Sequence, residues 1–334
     1  MSRILMARGR RQVLGWAAGG GAALLAAPGA SFAQTGGAFP SRPVRILVSL
    51  PPGSGADTIA RFLSKHLSQS LQQPFVVENR PGANSFLASQ AVATAPADGY
   101  TMYVASNSPM TTNVVAFRQL PYDPVRDFAP VAGGAKFPMV FVVSASSSYR
   151  QLADLVGALR QSPGKFSYAS GTATYRLAIE QFHLQNGVSA IHVPYKGTAP
   201  ALVDVAAGTA EYSIADVSAV LPLIRSGKLR PLAVTSRERV KDLADVPTMI
   251  EAGNPNYEFY AWVAAFYPAK VEPAIVERVA AAIGQAMRSP EAAAFLGDIG
   301  GQAFLAGPKE LGEFQRAEIA AMRSIATKVK MEPE

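Results

Sequence analysis

Few residues in this chain of 334 could carry acid–base or nucleophilic chemistry. It has no cysteine, which excludes disulfides, thiolate metal sites and a cysteine nucleophile. Its three histidines stand apart in the sequence. His66 falls beside the apolar positions of one predicted helix, His183 inside another, and His192 between Ile191 and Val193 of a predicted strand. None has a metal-ligand partner at close spacing, so no metal site is expected. The sequence contains no nucleophile elbow, zinc-protease pair, dinucleotide fingerprint or phosphate loop. Ser162-Pro163-Gly164-Lys165 matches S-x-x-K in form, but its Pro-Gly pair reads as an ordinary turn. The nearest approach to a catalytic set is Ser54 or Ser170 with His192, as in a secreted α/β hydrolase or isomerase. That set lacks a recognisable spacing of nucleophile and base. The chain offers instead glycines, small hydroxyls and backbone N–H groups gathered in short turns. Such turns bind an anion without transforming it, so no enzyme and no cofactor are expected.

The elements around the first of these turns are the most legible in the chain. Val44 to Leu50 is mostly β-branched or apolar, as a buried parallel strand should be. Pro51 and Pro52 end it, since neither can donate to a ladder. From Asp57 the period changes, and Ile59, Phe62, Leu63, Leu67 and Leu71 recur at helical spacing. The turn between, Pro52, Gly53, Ser54, Gly55, Ala56 and Asp57, is a candidate anion site, because the first N–H groups of a helix lack partners inside it. Gly53 and Gly55 permit a positive φ and close approach to the backbone. Asp57 is read as the N-cap, its carboxylate turned back onto the helix and its own N–H left for a ligand.

The same plan recurs. Strand Phe75–Glu78 ends in a glycine-containing turn that carries Asn84 and Ser85, and strand Tyr100–Ala105 ends in Ser106 and Asn107. Three parallel strands would then end on one edge, where open α/β folds bind ligands. Further on, strand Phe166–Ala169 leads through Ser170, Gly171, Thr172, Ala173 and Thr174 into a helix that carries Arg176. Strand Tyr212–Ile214 leads to Asp216 and another helix. This alternation predicts a second parallel α/β unit. Phe137–Val143 and Tyr257–Phe266 read as extended strands, and helices Pro273–Arg288, Pro290–Gly297 and Lys309–Lys328 close the chain.

Residues 1–33 have the three parts of an export signal, with a basic start, an apolar stretch from Val13 to about Ala27 and Ser31-Phe32-Ala33 before the expected cut. Both the general secretory and the twin-arginine route fit Arg10-Arg11. The formal charge of +7 owes much to this leader, whose four arginines removed from 31 basic residues leave 27 against 24 acids. That is no nucleic-acid-binding excess, and no basic cluster interleaved with aromatics appears. At 49% hydrophobic and 16% charged, the rest is a packed globular chain.

With these turns placed, the chain resembles the TctC-like (Bug) substrate-binding proteins of tripartite tricarboxylate transporters, from about Phe39 to about Val329. The matching stretches include Pro51-Pro52-Gly53-Ser54-Gly55-Ala56-Asp57, Val77-Glu78-Asn79-Arg80-Pro81-Gly82-Ala83, Asp98-Gly99-Tyr100-Thr101, Leu120-Pro121-Tyr122-Asp123-Pro124 and His192-Val193-Pro194-Tyr195-Lys196-Gly197. Gly227–Thr235 and Asp245-Val246-Pro247-Thr248 extend the match. The resemblance implies a periplasmic, two-domain α/β protein of the periplasmic-binding type II (Venus flytrap) fold. Each domain would be a mainly parallel sheet flanked by helices. It implies a monomer that holds a small organic carboxylate between its domains, largely by main-chain amides of Pro52–Asp57 and Ser170–Arg176, and delivers it to membrane permease subunits. The domains are expected at 36–137 plus 262–334 and at 138–261, with the two extended strands as crossovers.

Three stretches depart from the family pattern. Asn84, Ser85 and Ala88 stand where glycines are usual, Arg176 where a histidine is common, and Ile214-Ala215-Asp216 where Phe-Asp is frequent. A binding protein that reports its ligand to a membrane sensor would share all these features.

Overall fold

The computed structural model describes residues 39–195 and 197–333. The export signal read over residues 1–33 lies outside the described residues, as do residues 34–38, Lys196 and Glu334. The first part of the chain runs β1 (Val44–Val48), α1 (Gly55–Leu71), β2 (Phe75–Asn79), α2 (Phe86–Ala93), β3 (Thr101–Ser106), α3 (Asn113–Ala116) and β4 (Phe128–Ser144). Then come α4 (Leu152–Gln161), β5 (Ser167–Ser170), α5 (Ala173–Asn186), β6 (Ile191–Pro194), α6 (Thr198–Ala207), β7 (Tyr212–Asp216), α7 (Val217–Arg225) and β8 (Leu229–Val234). The chain closes with β9 (Tyr260–Pro268), α8 (Pro273–Met287), α9 (Pro290–Asp298), β10 (Gln302–Ala303) and α10 (Pro308–Lys328).

The strands form one continuous path in the order β2-β1-β3-β9-β4-β7-β5-β6, with β8 and β10 both pairing β4. Strand β1 lies between two parallel partners, β2 and β3. Ile46 and Val48 pack into one core with Ile59 and Leu63 of α1. Leu47 packs into another with Tyr103, Trp262 and Phe266. Covering both faces is why this strand is an unbroken apolar run rather than an alternating one. Ile59 and Leu63 are each 0% exposed, and burying such a side chain contributes about 1.5–3 kcal/mol. Strand β5 repeats the arrangement between β6 and β7, over a third core that includes Phe141, Phe182 and Tyr257.

The parallel pairings join β1 to β2 and β3, and β5 to β6 and β7. Every antiparallel pairing among the described residues involves β4 or β9. Strand β4 belongs to both groups, since it pairs β9 and β10 on one stretch and β7 and β8 on the other. It is 17 residues long, where the sequence suggested only Phe137–Val143. Its first part carries Pro130, Gly133 and Gly134, which have poor strand preference. Pairing with β9 holds it, with register shifts between Pro130 and Ala132 and between Gly133 and Ala135. Gly133 is required there, because a Cβ would lie 2.2 Å from the backbone oxygen of Phe304. Ser108–Thr112, just beyond the polar strand end read at Ser106 and Asn107, is a largely buried helical turn of the wide π type that runs into α3.

Candidate ligand-binding site

A cleft of about 920 Å³ opens at the carboxyl ends of β1, β5 and β6. Its wall takes Ser49, Leu50 and Pro51 from the end of β1, and Pro81, Gly82, Asn84 and Ser85 from the turn after β2. From the β5–α5 turn it takes Ser170, Gly171, Thr172, Ala173 and Arg176, and beyond them His192, Pro194, Tyr195 and Gly197. Ser108, Asn113, Ala116, Phe117 and Met331 complete it. Of the residues named from sequence, Pro52, Gly53, Ser54, Gly55, Ala56 and Asp57 are not in this wall. Neither are Ser106, Asn107, Thr174 and Asp216.

The two helix starts use the same device. Ser54 is the N-cap of α1, and its Oγ accepts from the Asp57 amide at 3.3 Å. Thr172 is the N-cap of α5, and its Oγ1 accepts from the Tyr175 amide at 3.3 Å. The first helical bonds run from Thr58 N to Ser54 O and from Arg176 N to Thr172 O. Each cap therefore satisfies the third amide of its helix and leaves the first two, those of Gly55 and Ala56 and of Ala173 and Thr174, with no partner in the helix. This corrects the reading of Asp57 as the N-cap with a free N–H. The serine three residues earlier has the shorter side chain and the extended backbone that a cap needs, so it takes the role. The Asp57 carboxylate instead accepts from the Gly53 amide, Arg61 Nε and Asn79 Nδ2, each at 2.9 Å. Burial would raise its pKa, but these bonds and the Arg61 charge outweigh burial and hold the carboxyl below its ordinary range. Gly53 needs its φ of +83°, whereas Gly55 has no positive φ and room for a Cβ at ordinary contact with Phe137. Of the two glycines, only the first is required by conformation.

The Pro81–Ser85 turn has the departures noted in the sequence, and the backbone explains what they cost. Gly82, Asn84 and Ser85 have φ of +121°, +52° and +73°. Glycine adopts this region freely, while Asn84 and Ser85 hold it at a cost on the order of 1–2 kcal/mol each. The turn is fixed by Ser85 N donating to Gly82 O at 3.0 Å and by Asn113 Nδ2 donating to Asn84 O at 2.9 Å.

Arg176 and His192 are the basic side chains of the cleft wall. Arg176 Nε is buried and has no hydrogen-bond partner among the described residues, and the same holds for Ser49 Oγ. His192 Nε2 lies 2.7 Å from Ser170 Oγ. Burial, reinforced by the Arg176 charge, pushes His192 down to about 4, so it is neutral at neutral pH. Behind them Glu180 holds Tyr168 OH and, at 3.1 Å, His183 Nδ1, while His183 Nε2 meets Tyr212 OH. Burial raises the Glu180 carboxyl, but the His183 and Tyr168 bonds and the nearby charges of His183 and Arg176 carry it below its usual range. The cleft thus combines one guanidinium with an unpaired N–H, a neutral imidazole, hydroxyls and the uncapped amides of α5. Such a set receives an anion. Among the described residues no group of three or more His, Asp or Glu could hold a metal ion.

The remaining named residues lie outside the cleft wall. Thr174 Oγ1 is shared by Asn107 Nδ2 at 3.2 Å and Thr112 Oγ1 at 3.1 Å, all buried, which ties the first turn of α5 to the segment after β3. Ser106 Oγ and Asp216 Oδ1 are buried without a partner among the described residues. Burial raises Asp216 to about 6, although Tyr175 beside it pulls the other way. The folded pKa lies above the model-peptide 3.8, so the contribution to stability is full below about pH 3.8 and is lost as pH rises through about 6. Asp216→Asn should therefore stabilise the protein at pH 7.5 by at most about 3 kcal/mol, a few degrees in Tm, and should leave the pH 4 melt unchanged. Equal shifts at both pH values would show that the carboxylate charge is not what matters there.

The sequence profile described as "Tripartite tricarboxylate transporter family receptor" matches residues 59–331. The chain belongs to this family. The receptor is 35% identical over 327 residues to the UPF0065 protein in the tcbD-tcbE intergenic region of Pseudomonas sp. strain P51, covering 97% of this chain and 95% of that one. It is 33% identical to protein BugT of Bordetella pertussis, covering 84% of this chain and 87% of that one. Among solved structures it resembles R. palustris Rpa4515 with adipate, with a TM-score of 0.79, 33% identity, and 89% and 100% of the two chains covered. MatC from Rhodopseudomonas palustris with bound malate gives a TM-score of 0.73, 27% identity, and 86% and 99% coverage. The receptor has the α/β periplasmic-binding fold of these proteins. The family and its solved neighbours are solute-binding proteins and not enzymes. In this receptor the Ser170–His192 contact is therefore a hydrogen bond of the cleft wall. The sequence reading missed His192, Tyr195 and Gly197 as wall residues, although the stretch that holds them was among those resembling the family. It also missed Asn113, Ala116 and Phe117, which carry no motif and reach the cleft only because Ser108–Thr112 is helical.

Proposed function

We propose that this receptor captures a small dicarboxylate in the cleft and hands it to membrane permease subunits of a tripartite transporter. The observation that carries the ligand class is Arg176, a half-buried arginine whose buried Nε has no partner among the described residues, beside the uncapped amides of α5. One carboxylate suits those amides and a second suits the guanidinium. The solved relatives with adipate and with malate support a ligand of two carboxylates. The leader read over residues 1–33 supports export to the periplasm, and no described helix is long and apolar enough to cross a membrane. We assign lobes to 36–137 plus 262–334 and to 138–261, with the receptor monomeric and closing about β4 and β9. The sharing of β4 between the two pairing groups supports that hinge.

Thermal melts test this reading. A ligand bound only by the folded state at about a thousandfold over its Kd adds roughly 4 kcal/mol, which raises Tm on the order of 4–10 °C for a chain of this size. Adipate, malate and other mono-, di- and tricarboxylates are compared with their amides and with sugars of similar size. At least one dicarboxylate should shift the midpoint and shrink the particle in small-angle scattering, with its amide inert and EDTA without effect. A response to sugars or cations with every carboxylate silent would overturn the assignment.

A further inference from the structure

A second concavity, of about 1140 Å³, lies between α10 and the loop 117–127, and the ligand cleft does not use it. The stretch Leu120-Pro121-Tyr122-Asp123-Pro124 builds one side of it. Four arginines line it, Arg118, Arg126, Arg316 and Arg323, all exposed. Arg316 and Arg323 are two helical turns apart on one side of α10, about 10 Å along its axis.

The local acids offset only part of this charge, and against the effect of burial the nearby charges of Arg126 and Arg323 help to hold the Asp123 carboxyl below its ordinary range. Asp123 Oδ1 accepts from the amides of Val125 and Arg126, both at 2.9 Å, and Asp127 Oδ2 accepts from the Asp123 amide at 2.7 Å. Arg126 Nε lies 3.4 Å from Asp127, and Arg118 lies 3.9 Å from a Glu332 carboxylate that is 86% exposed. Contacts of that kind on the surface are worth little. Neither Arg316 nor Arg323 has an acid within ion-pair distance among the described residues. Between the charges the groove carries apolar surface, with Val125 41% exposed.

The two sides of the groove are bonded to each other, and the groove reaches the ligand cleft. Gln315 Nε2 on α10 donates to Pro124 O at 2.8 Å and to Met110 O at 3.1 Å, which locks the helix to the loop. Phe117 lines both concavities. Asn113 of the cleft wall donates to Asn84 O and, at 3.2 Å, to Tyr122 OH of the groove.

Resting on the receptor reading above, we propose that this groove docks an acidic, partly apolar polypeptide segment of the membrane protein that receives the ligand. Complementary charge draws and orients such a segment, and the apolar surface between the arginines takes its uncharged side chains. A polypeptide can follow a concave groove between a helix and a loop, whereas a flat lipid surface would reach only the arginines of its rim.

The test uses the full mature chain, a fluorescein-labelled peptide of repeated Glu-Leu-Glu triplets and its Lys-Leu-Lys counterpart. Fluorescence anisotropy should show binding of the acidic peptide alone, weakening steeply as salt rises. The double variant Arg316→Glu, Arg323→Glu should weaken binding by at least about tenfold. The carboxylate-induced thermal shift of the same variant should equal that of the parent, which separates failure of the groove from failure of the ligand site. Acidic peptide binding that is absent, or that is equal for parent and variant, would overturn the proposal. So would flotation with phosphatidylglycerol vesicles when the peptide does not bind, because the groove would then read a lipid headgroup.

Discussion

Gly171→Ala should abolish carboxylate binding and lower Tm by several degrees. The residue sits where β5 turns into α5, and its Cα lies against the backbone of Gly197. An added Cβ would come within 2.3 Å of Gly197 C, 2.4 Å of Gly197 O and 2.5 Å of Thr198 N. These neighbours are main chain, so no side-chain rotation can relieve the overlap. The turn and the Gly197 and Thr198 backbone must move apart, which strains the Tyr195 N to Ser170 O bond of 2.9 Å and the Ser170–His192 contact. Overpacking of this kind costs about 1–3 kcal/mol, occasionally more. Because the displaced atoms are the cleft wall, binding should suffer more than stability. A useful contrast is Gly53→Ala, where φ is +83° but nothing lies within 4 Å, so the cost is conformational only, on the order of 1 kcal/mol. Circular-dichroism melts with and without adipate or malate would read both effects. A Gly171→Ala variant with the parent Tm and the parent ligand shift would show that the close approach is not needed.

Arg176→Ala should weaken a dicarboxylate on the order of a hundredfold and a monocarboxylate far less. A charge-assisted pair contributes about 1.5–3 kcal/mol, and a bidentate guanidinium–carboxylate pair sits at the upper end. Arg176→Lys should restore only part of the loss, since an ammonium cannot present two parallel donors. Removing the charge should also let His192 titrate somewhat above its value of about 4, yet still below 6.5, because burial is the larger cause of its depression. The folded pKa of His192 is below its unfolded value, so the charged imidazole is disfavoured in the fold. The contribution of His192 to stability falls as pH drops from about 6.5 to about 4 and is steady above that window, opposite in sign to that of Asp216. Isothermal titration with adipate beside a monocarboxylate of similar length decides the matter. Equal losses for both would remove Arg176 from the ligand's second carboxylate.

Local pattern alone identified the strand that starts at Val44, read to Leu50 where the fold ends it at Val48, the amphipathic helix after it and the repeat of that plan at β5 and α5. A two-sided buried strand must be apolar throughout, and a helix packed on it must show a 3.6-residue period. The helix ends of the closing segment were also legible, because Pro273, Pro290 and Lys309 stand at or beside the first turns that the fold uses. The absence of cysteine and of catalytic motifs is likewise a property of the sequence itself.

Other features depended on neighbours distant in the chain. Which residue caps α1 turned on whether the Asp57 carboxylate was free, and Arg61 and Asn79 had already engaged it. The full length of β4 rests on its partner β9, which lies more than a hundred residues later and stabilises a run of glycine and proline that has no strand preference of its own. The positive φ of Asn84 and Ser85 is held by Asn113 from another segment. The wall of the cleft was decided in the same way, since Arg176 matters through the partner its buried Nε lacks and Gly171 through the backbone of Gly197 that touches it. Sequence spacing records periodicity along one element, whereas a cap, a cleft wall or an orphaned donor is set by atoms that arrive from other elements only when the chain has folded.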